Sequence, residues 1–521
     1  MEAIDALKQK VLSLAIQGKL VPQDPNDEPA SVLLKKIKAE KAELVKHGKI
    51  KKDKQESYIF RGGDNKYYEK IGDIVRDITE EIPFEIPNNW EFIRLKNLSD
   101  AYTGNSISEN IKASKYTNLK EGYNYIGTKD VGFNHVITYE NGVKIPFDDA
   151  SFRYAYKNAI LLCIEGGSAG RKVGILSEKV CFGNKLCAFH TFVIPENFLY
   201  YLIQSDYFFD LFRENVSGLI GGVSVNKIKE LIIPLPPLSE QKRIVSEIES
   251  IFKRIDEVKS NQEELARLKD GLKNKILDLA IQGKLVEQDP NDEPASVLLE
   301  KIKAEKAELV KQGKIKKDKQ ESYIYKGADN RHYEKNGSEV RDITDEIPFD
   351  IPNSWQWVRL DNITTYIQRG KSPQYTDIKE IPVISQKCVT KDGFNISPAK
   401  FINPQNLNTY SNERFLKNDD LLWNSTGTGT VGRVAIYNKD NNPYNIAVAD
   451  SHVTVIRPLL ISNQYVYYYL TSPLVQEGIE DICDGSTNQK ELSLTTVKRY
   501  LIPFPSIQEQ NRIVKKIANL L

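Results

Sequence analysis

LAIQGKLVPQDPNDEPASVLLKKIKAEKAELVKHGKIKKDKQESYIFRGGDNKYYEK, residues 14–70, returns at residues 279–335 with only a handful of substitutions. The chain is a tandem duplication, and a repeat of this kind organises every other reading. The match runs on through VRDITEEIPFEIPNNW and VRDITDEIPFDIPNSW, ends at Trp90 and Trp355, and then collapses. It resumes where Ile233-Pro234-Leu235-Pro236-Pro237-Leu238-Ser239-Glu240-Gln241 faces Ile502-Pro503-Phe504-Pro505-Ser506-Ile507-Gln508-Glu509-Gln510, followed by Arg243-Ile244-Val245 and Arg512-Ile513-Val514. Each half is thus a frame around an insert, and two copies of one scaffold present two different surfaces.

The inserts, about 91–235 and 356–505, are rich in Tyr, Phe, Ile and Val broken by Gly, Asn and Asp. That pattern reads as short strands and turns with some helix, an α+β class. Prolines 234, 236, 237, 503 and 505 cannot sit inside a helix, so they separate each insert from a helical stretch that begins near Glu240 or Glu509.

From Ile244 the apolar positions fall at Ile248, Ile251, Ile255, Val258, Leu265, Leu272, Ile276 and Leu279, with Gln262 and Lys269 in the two remaining slots. Steps of three and four make a heptad seam. A helix over residues 240–282 would be about 65 Å long, too long to stand as a lone amphipathic rod. Ile4, Leu7, Val11 and Leu14 copy the distal end of the seam, while Ile513, Ile517 and Leu520 copy its beginning. The expectation is a ring-like pseudo-dimer held by antiparallel helices. The terminal copies omit the counterpart of roughly residues 253–265, so the second rod is either gapped or completed by another chain. A heptad stripe by itself also fits core packing or homodimerisation; the cyclic order of the repeats favours the intramolecular pair. Two unlike modules on a stiff spacer suit a long ligand, and a DNA duplex with two unlike half-sites around an unread gap is the natural one.

Composition sets bounds. A chain of 521 residues is long enough for about three or four units of ordinary domain size. No apolar run approaches the roughly 20 residues of a membrane span, and the amphipathic start MEAIDALKQKVLSLAIQGK lacks the apolar block of an export signal, which implies the cytoplasm. Cys163, Cys181, Cys187, Cys388 and Cys483 form no C-x-x-C pair and read as reduced thiols. Cys181, Cys187 and His190 match no zinc spacing and are read as core. Lys plus Arg number 72 against 71 Asp plus Glu, so any DNA contact is local or shared with a partner.

The arrangement resembles the specificity subunit of type I restriction-modification systems over essentially the whole chain. IPLPPLSEQKRIV, IPFPSIQEQNRIV and ILDLAIQGKLVEQDPNDEPASVLL look like that family's hallmark segments. Glu165-Gly166-Gly167-Ser168-Ala169-Gly170-Arg171 and Asn424-Ser425-Thr426-Gly427-Thr428-Gly429 look like its glycine-rich recognition segment. The resemblance implies two α+β target-recognition domains joined by long antiparallel coiled-coil helices in a pseudo-twofold cyclic arrangement. It implies double-stranded DNA as ligand and no catalytic site in this chain. It also implies two modification subunits that hold S-adenosylmethionine and methylate adenine, and restriction subunits that use ATP and Mg. The expected division is a distal terminal helix over 1–20, a repeat linker with a short helix over 21–90, and a first recognition domain over 91–235. A central helix over 239–285, a second linker over 286–355, a second recognition domain over 356–505 and a proximal terminal helix over 506–521 complete it. The short carboxyl end after Gln510 departs from the family pattern.

Other motifs carry less. Gly427 to Gly432 satisfies G-x-G-x-x-G, but a strand-like run follows where a dinucleotide site needs a helix, so a glycine turn between strands is the reading. No G-x-x-x-x-G-K-[ST], H-E-x-x-H or G-x-S-x-G string occurs, and Asn442-Pro443-Tyr444 lacks the second proline of an adenine-holding N-P-P-Y. The basic runs Lys46 to Lys54 and Lys311 to Lys319 read first as solvated linker and second as sequence-independent grip. Base readout falls to polar and cationic side chains that flank glycine turns at matching places in both inserts. In the first these are Asn105, Ser106, Lys129, Ser168, Arg171, Lys172 and Lys185; in the second, Arg369, Lys371, Ser372, Gln386, Lys387 and Arg433. A coiled-coil adaptor without a nucleic-acid role is the competing reading, but it leaves unexplained why the inserts diverge while the frame does not.

Overall fold

Gly18 and Gly283 end the first helix of each half in the same way. A computed structural model of the chain describes residues 2–52, 56–117, 119–216, 221–317, 322–427, 429–484 and 490–521, and these divide into two compact units, Met1–Gln262 and Glu263–Leu521. In the first unit the helix Glu2–Ile16 closes with Gly18 at φ +68° while the Lys19 N–H donates to the Leu14 carbonyl at 2.9 Å. This is a left-handed helix end that glycine accepts at little cost. A Cβ there would also lie 2.5 Å from Cγ of Pro87. Gly283 repeats the turn against Pro352, which gives the recurring A-I-Q-G-K string a structural reason.

Residues 21–90, expected as linker with a short helix, hold more. The helix Ala30–Lys46 buries Ala30, Leu33 and Ile37. An antiparallel sheet follows, Ser57–Arg61, Tyr67–Ile71 and Ile74–Asp77 in that order. Its inward face carries Ile59 and Tyr67, packed with Phe92 and Ile232, and one charge, Glu69. That carboxylate is held by Arg94 and Arg76. The second unit repeats the elements as Ala295–Lys311 and the sheet Ser322–Lys326, His332–Asn336, Glu339–Asp342, with Glu334 held by Arg359, Arg341 and Arg499. Of the two basic runs, residues 53–54 and 318–319 lie outside the described residues.

Each insert is bracketed by a short ladder. Glu91–Arg94 pairs with Ile232–Leu235 in the first unit, Pro234 opposite Phe92, and Gln356–Arg359 pairs with Leu501–Phe504 in the second. Between them, the first insert forms an antiparallel sheet in the order Val173–Ile175, Ile160–Cys163, Leu186–Thr191, Ser99–Thr103. A second sheet joins Lys144–Ile145, Tyr123–Ile126, Val180–Phe182 and Tyr154–Ala155. The other insert is built alike, from Thr364–Arg369, Val453–Pro458, Leu421–Asn424 and Val434–Ile436, with a second sheet of Tyr375–Thr376, Lys400–Ile402, Pro382–Ile384 and Val448–Ala449. The α+β class holds.

The repeat-end string E-Q-x-R fastens each half to itself. The Trp90 indole N–H donates 2.8 Å to the buried Glu240 carboxylate, which also accepts from Gln23. Arg243 holds Asp27 through two hydrogen bonds, and Gln241 donates to the Pro236 carbonyl at 2.9 Å. Trp355, Gln288, Glu509, Arg512, Asp292 and Gln510 repeat every contact in the second unit. The helix that starts at this latch spans Leu238–Ile281, 44 residues. In the first unit Ile244 and Ile248 share a core with Val11 and Leu12, and Asp256 pairs with Lys8 at 2.7 Å. In the second, Ile276 and Leu277 pack with Ile513 and Ile517. Val258, Leu265 and Leu272, the middle of the heptad seam, are more than half exposed.

A candidate nucleic-acid interface

Both inserts fold their glycine-rich segment into the same hairpin. Ile160–Cys163 leads into it and Val173–Ile175 leads out. The Cys163 N–H donates to the Lys172 carbonyl at 2.9 Å and the Gly170 N–H to the Cys163 carbonyl at 2.8 Å. In the other insert the Asn424 N–H donates to the Arg433 carbonyl at 2.8 Å and the Gly432 N–H to the Asn424 carbonyl at 2.9 Å. Gly170 and Gly432 take φ of +76° and +86°. Their Cβ positions are filled by Phe212 in one insert and Ile479 in the other, each within 2.8 Å, so no larger residue fits. A later segment lies beside each turn: the Val223 N–H donates to the Ile164 carbonyl and the Leu492 N–H to that of Ser425.

In the first insert, four of the seven candidates gather at this turn. Ser168 lies within it and meets the Cys163 thiol at 3.3 Å. Arg171 is exposed with its guanidinium 5.5 Å from the Phe209 ring centre. Lys172 Nζ donates to the Thr128 carbonyl at 3.1 Å, which places Lys129, exposed, on the adjoining loop. Lys185 reaches Glu165 at 3.2 Å, and the Ile164 N–H donates to its carbonyl. Asn105 follows Gly104 at a junction between the two sheets. Its N–H donates to Phe182, its amide Nδ2 to the Ser151 carbonyl, and its Oδ1 accepts from the Arg153 N–H. Ser106 beside it is exposed.

The second insert places Arg433, Arg369 and Gln386 at its turn, and Lys387, next to Gln386 in the chain, is exposed. Arg433 Nη2 donates to the Gly429 carbonyl at 2.7 Å. Arg369 pairs with Glu491 and donates to the Leu492 carbonyl. Asn424 Nδ2 donates to the Gln386 carbonyl at 3.2 Å, while Gln386 Oε1 lies 2.9 Å from where a Cβ on Gly427 would stand. Gln386 Oε1, Asn424 Oδ1 and Arg369 Nε are buried without a hydrogen-bond partner among the described residues. Lys371 and Ser372 occupy the sheet junction after Gly370, equivalent to Asn105 and Ser106. Lys371 Nζ lies 5.2 Å from the Tyr410 ring centre, and Ser372 Oγ donates to Ser451 at 3.2 Å. Thr428 lies outside the described residues.

Sequence reasoning passed over His452, whose Nδ1 meets Thr426 Oγ1 at 2.6 Å, and Asp450, which accepts from the His452 N–H at 2.8 Å. Burial pushes the Asp450 carboxyl above its usual range, and that hydrogen bond opposes the shift. It also passed over Glu165 and Glu491, the carboxylates that hold Lys185 and Arg369 beside the turns. The D-S-H string was the available signal. The first turn is thus a mainly cationic cluster and the second a mixed one, in which Arg433 and Arg369 stand with Glu491 and Asp450; both offer donors suited to phosphate oxygens and to base edges.

Strand Val434–Ile436, not a helix, follows Gly432. The Asn442 amide donates to the Tyr437 hydroxyl at 2.7 Å and its Oδ1 accepts from the Tyr444 N–H, a turn-forming role. Cys181 and Cys187 are buried in different sheets; burial pushes both thiols up, Cys181 to about 12. Among the described residues no group of three His, Cys, Asp or Glu side chains is placed to hold a metal ion, and no helix is long and apolar enough to cross a membrane.

Residues 87–267 and 352–521 match the model of the type I restriction modification DNA specificity domain. The type I restriction enzyme EcoAI specificity subunit of Escherichia coli is 27% identical across 99% of this chain and 89% of its own length. The EcoEI specificity subunit, also from Escherichia coli, is 30% identical over 71% of this chain and 63% of its own. Among solved structures, a chain from work titled as the structural basis of complex assembly and conformational transition of the type I R-M system shares the fold. Its TM-score is 0.55 at 16% identity, covering 84% of this chain and 91% of that one.

Proposed function

The chain belongs to the type I restriction modification DNA specificity family, and from that premise we propose that its two inserts read the two halves of a bipartite, asymmetric DNA site. It is the non-catalytic recognition subunit of such a system. One observation carries the reading: a frame that repeats with only a handful of substitutions presents two unlike inserts, each placing arginine side chains beside the same glycine turn. In this reading Ser168, Arg171, Lys172, Lys185 and Lys129 serve one half-site, and Arg433, Arg369, Gln386 and Lys387 the other. Asn105, Ser106, Lys371 and Ser372 serve from the sheet junctions.

The recognition domains are held apart by antiparallel helices in a pseudo-twofold cycle, a reading supported by the seam residues of Leu238–Ile281 and their copies at both chain ends. The chain works in the cytoplasm with two modification subunits, which supply S-adenosylmethionine, and with restriction subunits that supply ATP and Mg. Replacing residues 91–235 with another insert tests the core of this. Methylation mapping of the assembled complex should then show one half-site changed and the other kept. A simultaneous change in both overturns modular reading.

A further inference from the structure

Phe133 is 63% exposed and Val136 54%, and both sit at the tip of a hairpin that is pinned from below. Val131 and Ile137 face each other across an isolated bridge and are buried in one core with Leu161 and Cys163. The Gly132 N–H donates to the Val136 carbonyl at 2.9 Å, and the Val136 N–H to Asn134 Oδ1 at 3.3 Å. Asp130 ties the base, one carboxylate oxygen accepting from the Gly127 N–H at 2.7 Å and from Asn141 Nδ2 at 2.8 Å. A Cβ on Gly174 would lie 2.5 Å from Ile137 Cγ1, so the hairpin is pressed onto the strand Val173–Ile175 that leaves the glycine turn.

The ring therefore stands beside that turn. Lys172, the residue before the strand, places Nζ 5.0 Å from the Phe133 ring centre while donating to the Thr128 carbonyl. Arg171 precedes Lys172 in the turn and Lys129 follows Thr128, both exposed. A solvent-facing phenylalanine among cations suits a ligand that offers an apolar slot between anionic groups. A DNA base step has that form, because the gap between stacked bases is apolar and phosphates flank it.

The second insert builds the hairpin without the ring. Pro382–Ile384 pairs in parallel with Val448–Ala449 as Tyr123–Ile126 does with Val180–Phe182, and a hairpin follows each. In the second insert its strands are Val389–Thr390 and Gly393–Phe394. Phe394 packs inward on Tyr437, with 5.2 Å between ring centres, and the exposed tip is Lys391 and Asp392.

We propose that Phe133, with Val136 beside it, wedges into one base step of the half-site read by the first insert, opening that step and kinking the duplex. The inference rests on the reading given under Proposed function and adds to it a part of recognition that uses no hydrogen bond to a base edge. Unstacking costs least at flexible pyrimidine–purine steps, so the ring selects deformability at a position that is not otherwise read. The hairpin tip of the second insert supplies no such wedge to the other half-site.

The test uses the full chain assembled with its modification subunits on a short duplex that carries the mapped site, with dyes at both ends to report bending. F133A should weaken binding by about tenfold and bend the duplex less, while F133L, still an apolar wedge, should stay near wild type. A backbone nick that keeps its phosphate frees one step at a time without changing any base. Scanned through both half-sites, it should tighten wild-type binding by about threefold or more at one step of the first half-site, and should do nothing at that step for F133A. Equal bending and equal nick profiles for wild type and F133A overturn the wedge and leave the reading of two half-sites intact. Loss of a modification subunit from F133A with bending unchanged would make the ring a protein contact, and overturns the wedge as well. A wild-type complex that binds every sequence alike overturns both.

Discussion

The Arg94 guanidinium closes on the Glu69 carboxylate through two parallel hydrogen bonds, Nε to Oε1 at 3.0 Å and Nη2 to Oε2 at 2.7 Å. Arg359 and Glu334 repeat the pair in the second half. The fork ties the three-stranded sheet to the ladder that opens each insert, so it anchors the reading domain on the frame. Burial is the largest single influence on Glu69 and pushes its pKa up, but the hydrogen bonds and charges of Arg94 and Arg76 together outweigh it and hold the group at about 2. Glu334 is held at about 2 in the same way.

A folded pKa below the unfolded 4.5 adds stability that is complete above about pH 4.5 and disappears as pH falls toward 2. The contribution is on the order of 3 kcal/mol for each carboxylate. E69Q should therefore destabilise the first unit at neutral pH, where it leaves the buried Arg94 with Glu81 alone as charge partner, and should flatten the acid limb of the stability curve. Urea midpoints taken from pH 7 down to pH 3 check this. Parallel acid limbs for E69Q and wild type would remove the pair from the account.

The latch at Glu240 has the opposite sign. Burial raises its pKa, with the Trp90 and Gln23 donors opposing, so its contribution is greatest below pH 4.5 and is lost as pH rises through the folded value. E240Q keeps an acceptor for Trp90 and removes the buried charge. The first unit of E240Q should melt at or above wild type at pH 8 and lose that advantage near pH 4. A lower melting temperature than wild type at pH 8 would mean that the charge itself holds the helix start.

Gly104 and Gly370 sit where each insert's two sheets meet. A Cβ on Gly104 would lie 1.8 Å from the Phe182 carbonyl oxygen, and one on Gly370 would lie 2.1 and 2.2 Å from those of Ala449 and Asp450. Backbone must move, at a cost of about 1–3 kcal/mol, and the movement falls on Asn105 or Lys371. G370A should spoil recognition of one half-site and G104A that of the other, measured as competition by DNA variants in each half. If both substitutions weakened the same half-site, the inserts would not be independent readers.

How much of this was legible depends on the distance over which a residue finds its partners. The duplication, the α+β class and the glycine hairpins are written locally, in repeated strings and in runs of β-formers around Gly166 to Gly170 and Gly427 to Gly432. The three-stranded sheets were hidden because Glu69 and Glu334 occupy inward positions, and a carboxylate there breaks the apolar alternation by which a strand announces itself. Their arginine partners Arg94 and Arg359 lie beyond the sheet in sequence. The clusters at the turns were half legible: Arg433 and Ser168 belong to the glycine segment. His452 and Glu491 arrive from separate strands and loops, and no spacing rule links them to Thr426 and Arg369.

Arg433 offers the sharpest test of base readout. One of its five N–H donors is spent on the Gly429 carbonyl, which leaves the guanidinium steady at the mouth of the turn with donors to present as a fork to guanine O6 and N7. R433A should cost about 1–3 kcal/mol at one base position of one half-site and relax selectivity there. R433K keeps the charge and loses the fork, so it should rescue overall affinity without rescuing selectivity. A phosphate contact would behave differently: R433A would weaken all sequences alike and lower the salt slope by about 1, and R433K would restore both. Binding isotherms for single-base variants of each half-site at two salt concentrations separate the two roles. A uniform loss with the shallower slope would move Arg433 from reading bases to holding the backbone.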